Sequence, residues 1–63
     1  MIQVIAFDEE NEQDLALEIN RFLKTLDENS LVDIRFSVSA FLTSNNEQVY
    51  CYSALIIYRV VLK

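Results

Sequence analysis

Five acidic residues stand within the seven positions from Asp8 to Asp14 of this 63-residue chain. Carboxylates at this density could hold a hard cation through oxygen ligands or act as a general acid and base. Glu10 and Asp14 are the pair to consider, because they lie about one helical turn apart. The full acidic surface that could meet a partner comprises Asp8, Glu9, Glu10, Glu12, Asp14 and Glu18.

A helix cap explains this run better than a site does. Acidic residues in a first helical turn interact favourably with the positive end of the helix dipole. Asp8 or Asn11 could serve as the N-cap, and Asn11 with Asp14 approximates a capping box. An EF-hand loop needs a central glycine, and the chain has none. We therefore predict no catalytic residues, no metal site and no cofactor.

The other chemically active side chains lack the neighbours that they would need. Cys51 is the single cysteine and the chain has no histidine, which argues against a disulfide, structural zinc and an activated thiol. Tyr50, Tyr52 and Tyr58 could stack on bases. Nucleic-acid binding, however, relies on clustered cations, whereas the five Lys and Arg residues here are scattered and the net charge of the chain is −5. We predict a protein that is not an enzyme and binds no nucleic acid or small-molecule substrate.

The sequence also carries no membrane signal. The first residues show neither a basic region nor a long apolar run. The longest uncharged run, from Gln48 to Tyr58, is much shorter than the about 20 apolar residues of a spanning helix. We predict a soluble, cytoplasmic protein without membrane binding.

Three strands and one helix account for most of the chain. Residues 1–7 form a short β-branched strand, residues 31–42 alternate between apolar and polar, and residues 49–62 are apolar on both parities. Between them, residues 12 to about 27 carry an apolar stripe at helical spacing. Asn29 is the predicted left-handed residue after the helix, and residues 43–48 form a turn centred on Asn45-Asn46.

These elements predict one α+β domain, residues 1–63, of β-α-β-β order. The third strand has no polar parity, and an exposed apolar edge promotes aggregation, so we place it in the centre. The sheet is then antiparallel with order 1-3-2 and has the helix on one face. The alternative is order 1-2-3, in which a right-handed crossover joins parallel strands 1 and 2.

Which parity of the third strand faces the helix depends on the hairpin register. Pairing even with even residues places Asp33 opposite Arg59 and Ser39 opposite Ser53, which are favourable cross-strand pairs. That register needs an odd-length loop, whereas a two-residue Asn45-Asn46 turn would put the tyrosines outside. We favour even residues facing the helix, because the same arrangement of the first strand turns Gln3 outward and three apolar residues inward: Ile2, Val4 and Ala6.

One helix cannot cover both faces of this sheet. The predicted outer face is apolar and carries Ile5, Phe7, Phe41, Leu55, Ile57 and Val61. A contiguous apolar patch marks an interaction site, and a chain of this length is short of core. The simplest outcome is a homodimer about a two-fold axis; a monomer and a foreign protein partner are the alternatives.

Three stretches also carry a family resemblance: FDEENEQDLALEINRFL (7–23), VDIRFSVS (32–39) and YSALIIYR (52–59). In their order and spacing the chain resembles the sporulation protein Cse family, short acidic proteins of Gram-positive bacteria and their phages. The resemblance implies an intracellular, sporulation-linked protein and brings no catalytic residues with it. The family often has His-Glu where this chain has Asn11-Glu12, and this departure argues against metal binding or proton transfer at that turn.

Three functions follow, in order of preference. The first is a non-enzymatic, homo-oligomeric protein-interaction module that uses the apolar outer face. The second is an acidic inhibitor or nucleic-acid mimic whose carboxylates occupy a basic site on another protein. The third, least favoured, is a metal-dependent enzyme that uses Glu10 and Asp14.

Overall fold

A computed structural model describes residues 1–60 of the chain. The elements are β1 (Ile2–Glu9), α1 (Glu12–Leu23), a short 3-10 helix (Glu28–Ser30), β2 (Leu31–Leu42) and β3 (Gln48–Arg59). They form one three-stranded sheet of order β1-β3-β2, in which both pairs are antiparallel. The predicted α+β class, the β-α-β-β order and the 1-3-2 sheet are confirmed.

The core lies between α1 and the central strand. Among residues 1–60, the buried apolar side chains are Leu15 of α1 and Ala54 and Ile56 of β3. Phe22 of α1 extends this contact, with ring centroids 5.9 Å from Phe7 and 5.1 Å from Tyr58. The even residues of β3 therefore face the helix, as predicted.

The five-residue loop between β2 and β3 sets this parity. The Thr43 amide donates to the Glu47 carbonyl at 2.9 Å, and the Thr43 hydroxyl oxygen accepts from the amides of Asn45 and Glu47. Asn46 takes the left-handed conformation, with φ of 63°. A loop of odd length pairs even residues of β2 with even residues of β3. This register is the one that places the tyrosines on the helix-facing side.

The predicted cross-strand pairs are wrong by two residues. Asp33 lies opposite Ile57, and Ser39 lies opposite Cys51, with a register irregularity between Leu31 and Asp33. The loop closed by Thr43 is short, so additional residue pairs form next to the turn. This shifts β2 by two residues along β3 and leaves the same side of β2 facing the helix. Asp33 finds its cation within its own strand, where Arg35 Nε lies 2.9 Å from Asp33 Oδ2.

The predicted orientation of β1 is also wrong. Ile5 lies opposite Ile56 and Phe7 opposite Ala54, so these two residues face the helix. The residues that face away are Ile2, Val4 and Ala6. Gln3 can lie on the helix side because it sits opposite Tyr58, whose hydroxyl donates to Gln3 Oε1 at 3.2 Å. Gln3 remains exposed at this end of the sheet, so its polar side chain meets solvent on the helix-facing side as well.

Helix α1 begins as predicted and ends earlier. Asn11 is the N-cap, and its Oδ1 accepts from the amides of Gln13 and Asp14 at 2.7 and 3.3 Å. The helix ends at Leu23 rather than near Asp27. The Thr25 amide and hydroxyl both donate to the Phe22 carbonyl, which tightens the last turn. Asn29 belongs to the short 3-10 helix and is not left-handed.

The molecule is elongated. Its extents are 52 × 18 × 15 Å and its radius of gyration is 14.5 Å, against about 11 Å for a compact domain of this length. The β2–β3 hairpin causes the elongation, because β1 ends where Glu9 pairs with Tyr52. The hairpin continues beyond that point as residues 39–51, which we call the arm. Two-stranded hairpins are marginal in water without a covering layer.

Candidate functional site

The helix-facing side of the sheet is only partly covered. Helix α1 packs mainly on β1 and β3, and the even residues of β2 lie beyond it. Phe36 and Val38, the direct partners of Ala54 and Tyr52, are 60% and 49% exposed. We call this surface the uncovered strip; it comprises Ile34, Phe36, Val38, Tyr50 and Tyr52.

Aromatic rings give the uncovered strip a flat centre. Phe36 stacks on Tyr52 with centroids 6.5 Å apart and an interplanar angle of 23°. Tyr50 continues the row, 6.3 Å from Tyr52 at 24°. Rings that are ordered against one another lose little entropy when a partner covers them, which makes them good anchors of an interface.

An apolar groove beside α1 joins the uncovered strip. Leu17 is 63% exposed, although it belongs to an otherwise amphipathic helix. It lines a hollow together with Leu31 at the start of β2. The remaining lining residues are Leu23, Leu26, Asn20, Lys24, Asp27 and Glu28. None of the acidic residues of α1 lines this groove.

The opposite side of the sheet carries a second apolar area, which we call the outer patch. It comprises Ile2, Val4, Ala6, Leu55 and Ile57, from the pairs Val4 with Ile57 and Ala6 with Leu55. Val4 is 58% exposed, whereas Leu55 is 37% exposed. Polar contacts border the patch, namely the 2.6 Å hydrogen bond from Ser53 to Asp8 and the ion pair of Asp33 with Arg35.

The predicted association face is therefore only partly assembled. Leu55 and Ile57 lie in the outer patch, and Phe41 shares their side of the sheet but sits out on the arm. Ile5 and Phe7 lie on the helix side instead, because β1 has the opposite orientation to the predicted one. Val61 lies outside the described residues.

The acidic residues gather at the start of α1, next to the base of the arm. Asp8, Glu9, Glu10 and Asp14 line one open hollow with Asn11 and Cys51. Glu12 lies in a neighbouring hollow beside Tyr52, and Glu18 sits further along α1, half-buried. Within residues 1–60, no three acidic or cysteine side chains are placed to hold a metal ion.

The polar contacts around this hollow are structural. Asn11 caps α1, and the Ser53 hydroxyl donates to Asp8 Oδ1 across the β1–β3 pair. Cys51 is a free, half-buried thiol with its Sγ 3.9 Å from Ser53 Oγ. Asp8 is thus held at the end of β1, and Asn11 rather than an acidic side chain caps α1.

The uncovered strip was missed at the sequence level, although a signal for it was present. Strands lie about 4.8 Å apart, and a helix with its side chains is about 10 Å wide. One helix therefore covers about two strands. Ile34, Phe36 and Val38 alternate with polar residues and give β2 an apolar face. With β3 in the centre, a helix that covers β1 and β3 had to leave this face of β2 uncovered.

Within residues 1–60, no helix is long and apolar enough to cross a membrane.

Comparison with known proteins places the chain among sporulation proteins. The model of a family described as Sporulation protein Cse60 matches residues 1–60. The chain is 54% identical over 59 residues to a Bacillus subtilis (strain 168) protein named Sporulation protein cse60. That similarity covers 94% of this chain and 98% of that protein. No solved structure matches the chain.

Proposed function

Because the chain belongs to the Sporulation protein Cse60 family, we propose that it is a sporulation-associated protein that works as a homo-oligomeric interaction module without catalysis. The observation that carries this proposal is the size of its core. Within residues 1–60, the buried apolar side chains are Leu15, Ala54 and Ile56, whereas thirteen large apolar side chains are exposed. Chains with so little core are usually stabilised by association or by cross-links. With one cysteine in the sequence, association is the available route.

The polar groups support a role without catalysis. A nucleophile needs a base within hydrogen-bonding reach and a third group that orients the base. The Ser53 hydroxyl does donate to the Asp8 carboxylate, but no third group among residues 1–60 orients that carboxylate by a hydrogen bond, and the chain has no histidine. The hollow around Asp14 and Glu10 is open to solvent and is formed at a helix cap. These groups fit a structural role better than acid–base chemistry.

The direct test is the absolute mass in solution, by light scattering behind a sizing column over a wide range of concentrations. We expect a species of twice the 7.3 kDa chain mass that dissociates only on dilution. A single 7.3 kDa species at every concentration would overturn the homo-oligomeric proposal.

A second function, as an acidic inhibitor or nucleic-acid mimic, rests on the hollow lined by Asp8, Glu9, Glu10 and Asp14. Four carboxylates on one open surface would suit a basic site on another protein. The test is capture of a partner from sporulating cells at low and high salt, with a Glu9→Gln, Glu10→Gln variant as the matched control. Salt-sensitive capture that the variant loses would support this function. Capture that is unchanged at high salt and in the variant would exclude it.

A further inference from the structure

We propose that the uncovered strip is where a second copy of this chain docks, strip against strip, about a two-fold axis that runs along the strands. In this arrangement α1 of each copy lies beside the exposed edge of β2 in the other. The inference rests on the proposed self-association and assigns the surface that makes it.

The exposed area of the chain matches the requirement of such a dimer. The molecule exposes 5119 Å², whereas a compact monomer of 7.3 kDa exposes about 4,200 Å². The excess is about 900 Å². A standard protein–protein interface buries about 800 Å² on each partner. One interface of ordinary size would therefore bring this chain to the exposure of a compact protein.

The layers of the fold determine how two copies can meet. Packed sheets lie about 10 Å apart, and α1 occupies a layer of about that thickness above its own sheet. When two strips pack together, the helix of one copy is therefore level with the sheet of the other. Each α1 then lies next to the β2 edge of its partner, which is the vacant position at that level.

The direction of the axis follows from the position of α1. The helix lies toward β1 and β3, to one side of the strip. Rotation about an axis along the strands sends the partner's helix to the far side of β2. Rotation about an axis across the strands would place each α1 in the space that β1 and β3 of the partner occupy, where helix and sheet would collide. An axis along the strands also brings the two arms together with their helix-facing sides in contact.

Two features of the chain fit a partner with the same sequence. From Phe36 to Asn46 the edge strand and its turn contain no charged residue and no proline, so the usual protection of an edge strand is missing along this stretch. The side of α1 that borders the groove presents Leu17 and Asn20, followed by Lys24. Each chain carries a charge of −5, and the groove that would meet the partner is lined by Lys24 and by two acidic residues, Asp27 and Glu28, but by none of the acidic residues of α1.

A matched pair of variants on the two sides of the sheet tests the surface. Phe36→Lys places a positive charge in the uncovered strip. Leu55→Lys places the same charge in the outer patch, where Leu55 of β3 pairs directly with Arg35 of β2. We expect Phe36→Lys to raise the dimer dissociation constant by roughly 100-fold or more, because the change occurs once in each copy. Leu55→Lys should leave it within about threefold, which is below 1 kcal/mol. The reverse pattern would overturn the proposal, and a wild-type monomer would overturn the proposed function as well.

A cross-linking experiment covers the case in which Phe36→Lys fails to fold. In a Cys51→Ser background, Val38→Cys and Ser39→Cys are adjacent residues of β2 on opposite sides of the sheet. Because the axis runs along the strands, the two copies of residue 38 face one another. A direct disulfide needs Cα atoms closer than about 7 Å, whereas packed sheets lie about 10 Å apart, so a short bismaleimide serves as the cross-linker. We expect it to give a covalent dimer with Val38→Cys and a monomer with Ser39→Cys. Cross-linking through residue 39 alone, or through neither residue in a protein that is dimeric by mass, would reject the surface.

Discussion

The two halves of the helix-facing side of the sheet have similar sequences and different surroundings. Over β3, Ile56 is fully buried beneath α1, whereas Phe36 on the neighbouring β2 is 60% exposed. The residues of both halves are apolar, so composition does not separate them. The width of a single helix does, because α1 reaches across only two strands. The chain therefore carries more apolar sheet than its helix can cover, and its total exposed area exceeds that of a compact chain by about the area that one partner buries in an interface.

The largest effect should come from the covered half. We expect Ile56→Ala to lower the free energy of unfolding by about 2–5 kcal/mol, because the side chain is fully buried and its removal leaves a cavity. Urea unfolding at a fixed protein concentration measures this change. Ile34 of the uncovered strip pairs directly with Ile56, so Ile34→Ala is the control. It should lower the free energy of unfolding of the monomer by less than Ile56→Ala does. Equal losses in dilute monomer would contradict the distinction between the two halves.

The next effect concerns the uncovered half. If folding is linked to dimer formation, the melting temperature of the wild type should rise with protein concentration. We expect this dependence to disappear in Phe36→Lys and to persist in Leu55→Lys. Scanning calorimetry over a hundredfold concentration range makes the comparison. A wild-type melting temperature that is independent of concentration would mean that the strip contributes nothing to stability through association.

A smaller effect should come from the N-cap of α1. Asn11 Oδ1 accepts two amide hydrogen bonds at the start of α1, so Asn11→Ala should cost about 1 kcal/mol of stability. Gln13→Ala is the matched control, because Gln13 contributes its backbone amide rather than its side chain to the cap. Urea unfolding distinguishes the two variants. Addition of calcium or magnesium should shift the midpoint of neither variant nor of the wild type.

The smallest effect is expected on the outer side of the sheet. The ion pair between Arg35 and Asp33 is largely exposed, and such pairs contribute less than about 1 kcal/mol. Arg35→Ala should therefore change neither the unfolding midpoint nor the dimer mass. A marked drop in mass for this variant would move the interface from the uncovered strip to the outer side.

Much of the fold could be predicted from the sequence because its patterns are strong. The alternation of residues 31–42 gave the bounds of β2, and the apolar character of β3 on both parities required a central position. The predicted parity of β3 is confirmed, although the cross-strand pairs and the orientation of Gln3 that favoured it were wrong. These features depend on local sequence and on the need to cover a central strand.

The errors have physical causes that single residues do not reveal. Gln3 argued for the wrong side of β1, because its hydrogen bond to Tyr58 forms between residues 55 positions apart. The apolar stripe continued to Leu26, yet Thr25 ended the helix by bonding to the Phe22 carbonyl. The uncovered strip depended on how far α1 reaches across the sheet. Residue periodicity identifies the apolar side of a strand and does not say which layer covers it.

The contact between two strips can be observed directly by isotope-filtered NMR on a mixture of labelled and unlabelled protein. We expect intermolecular NOEs from the rings of Phe36 and Tyr52 and from the methyl groups of Val38. Intermolecular NOEs confined to the outer patch, at Val4 and Leu55, would contradict docking through the uncovered strip. In that case the interface would lie on the outer side of the sheet.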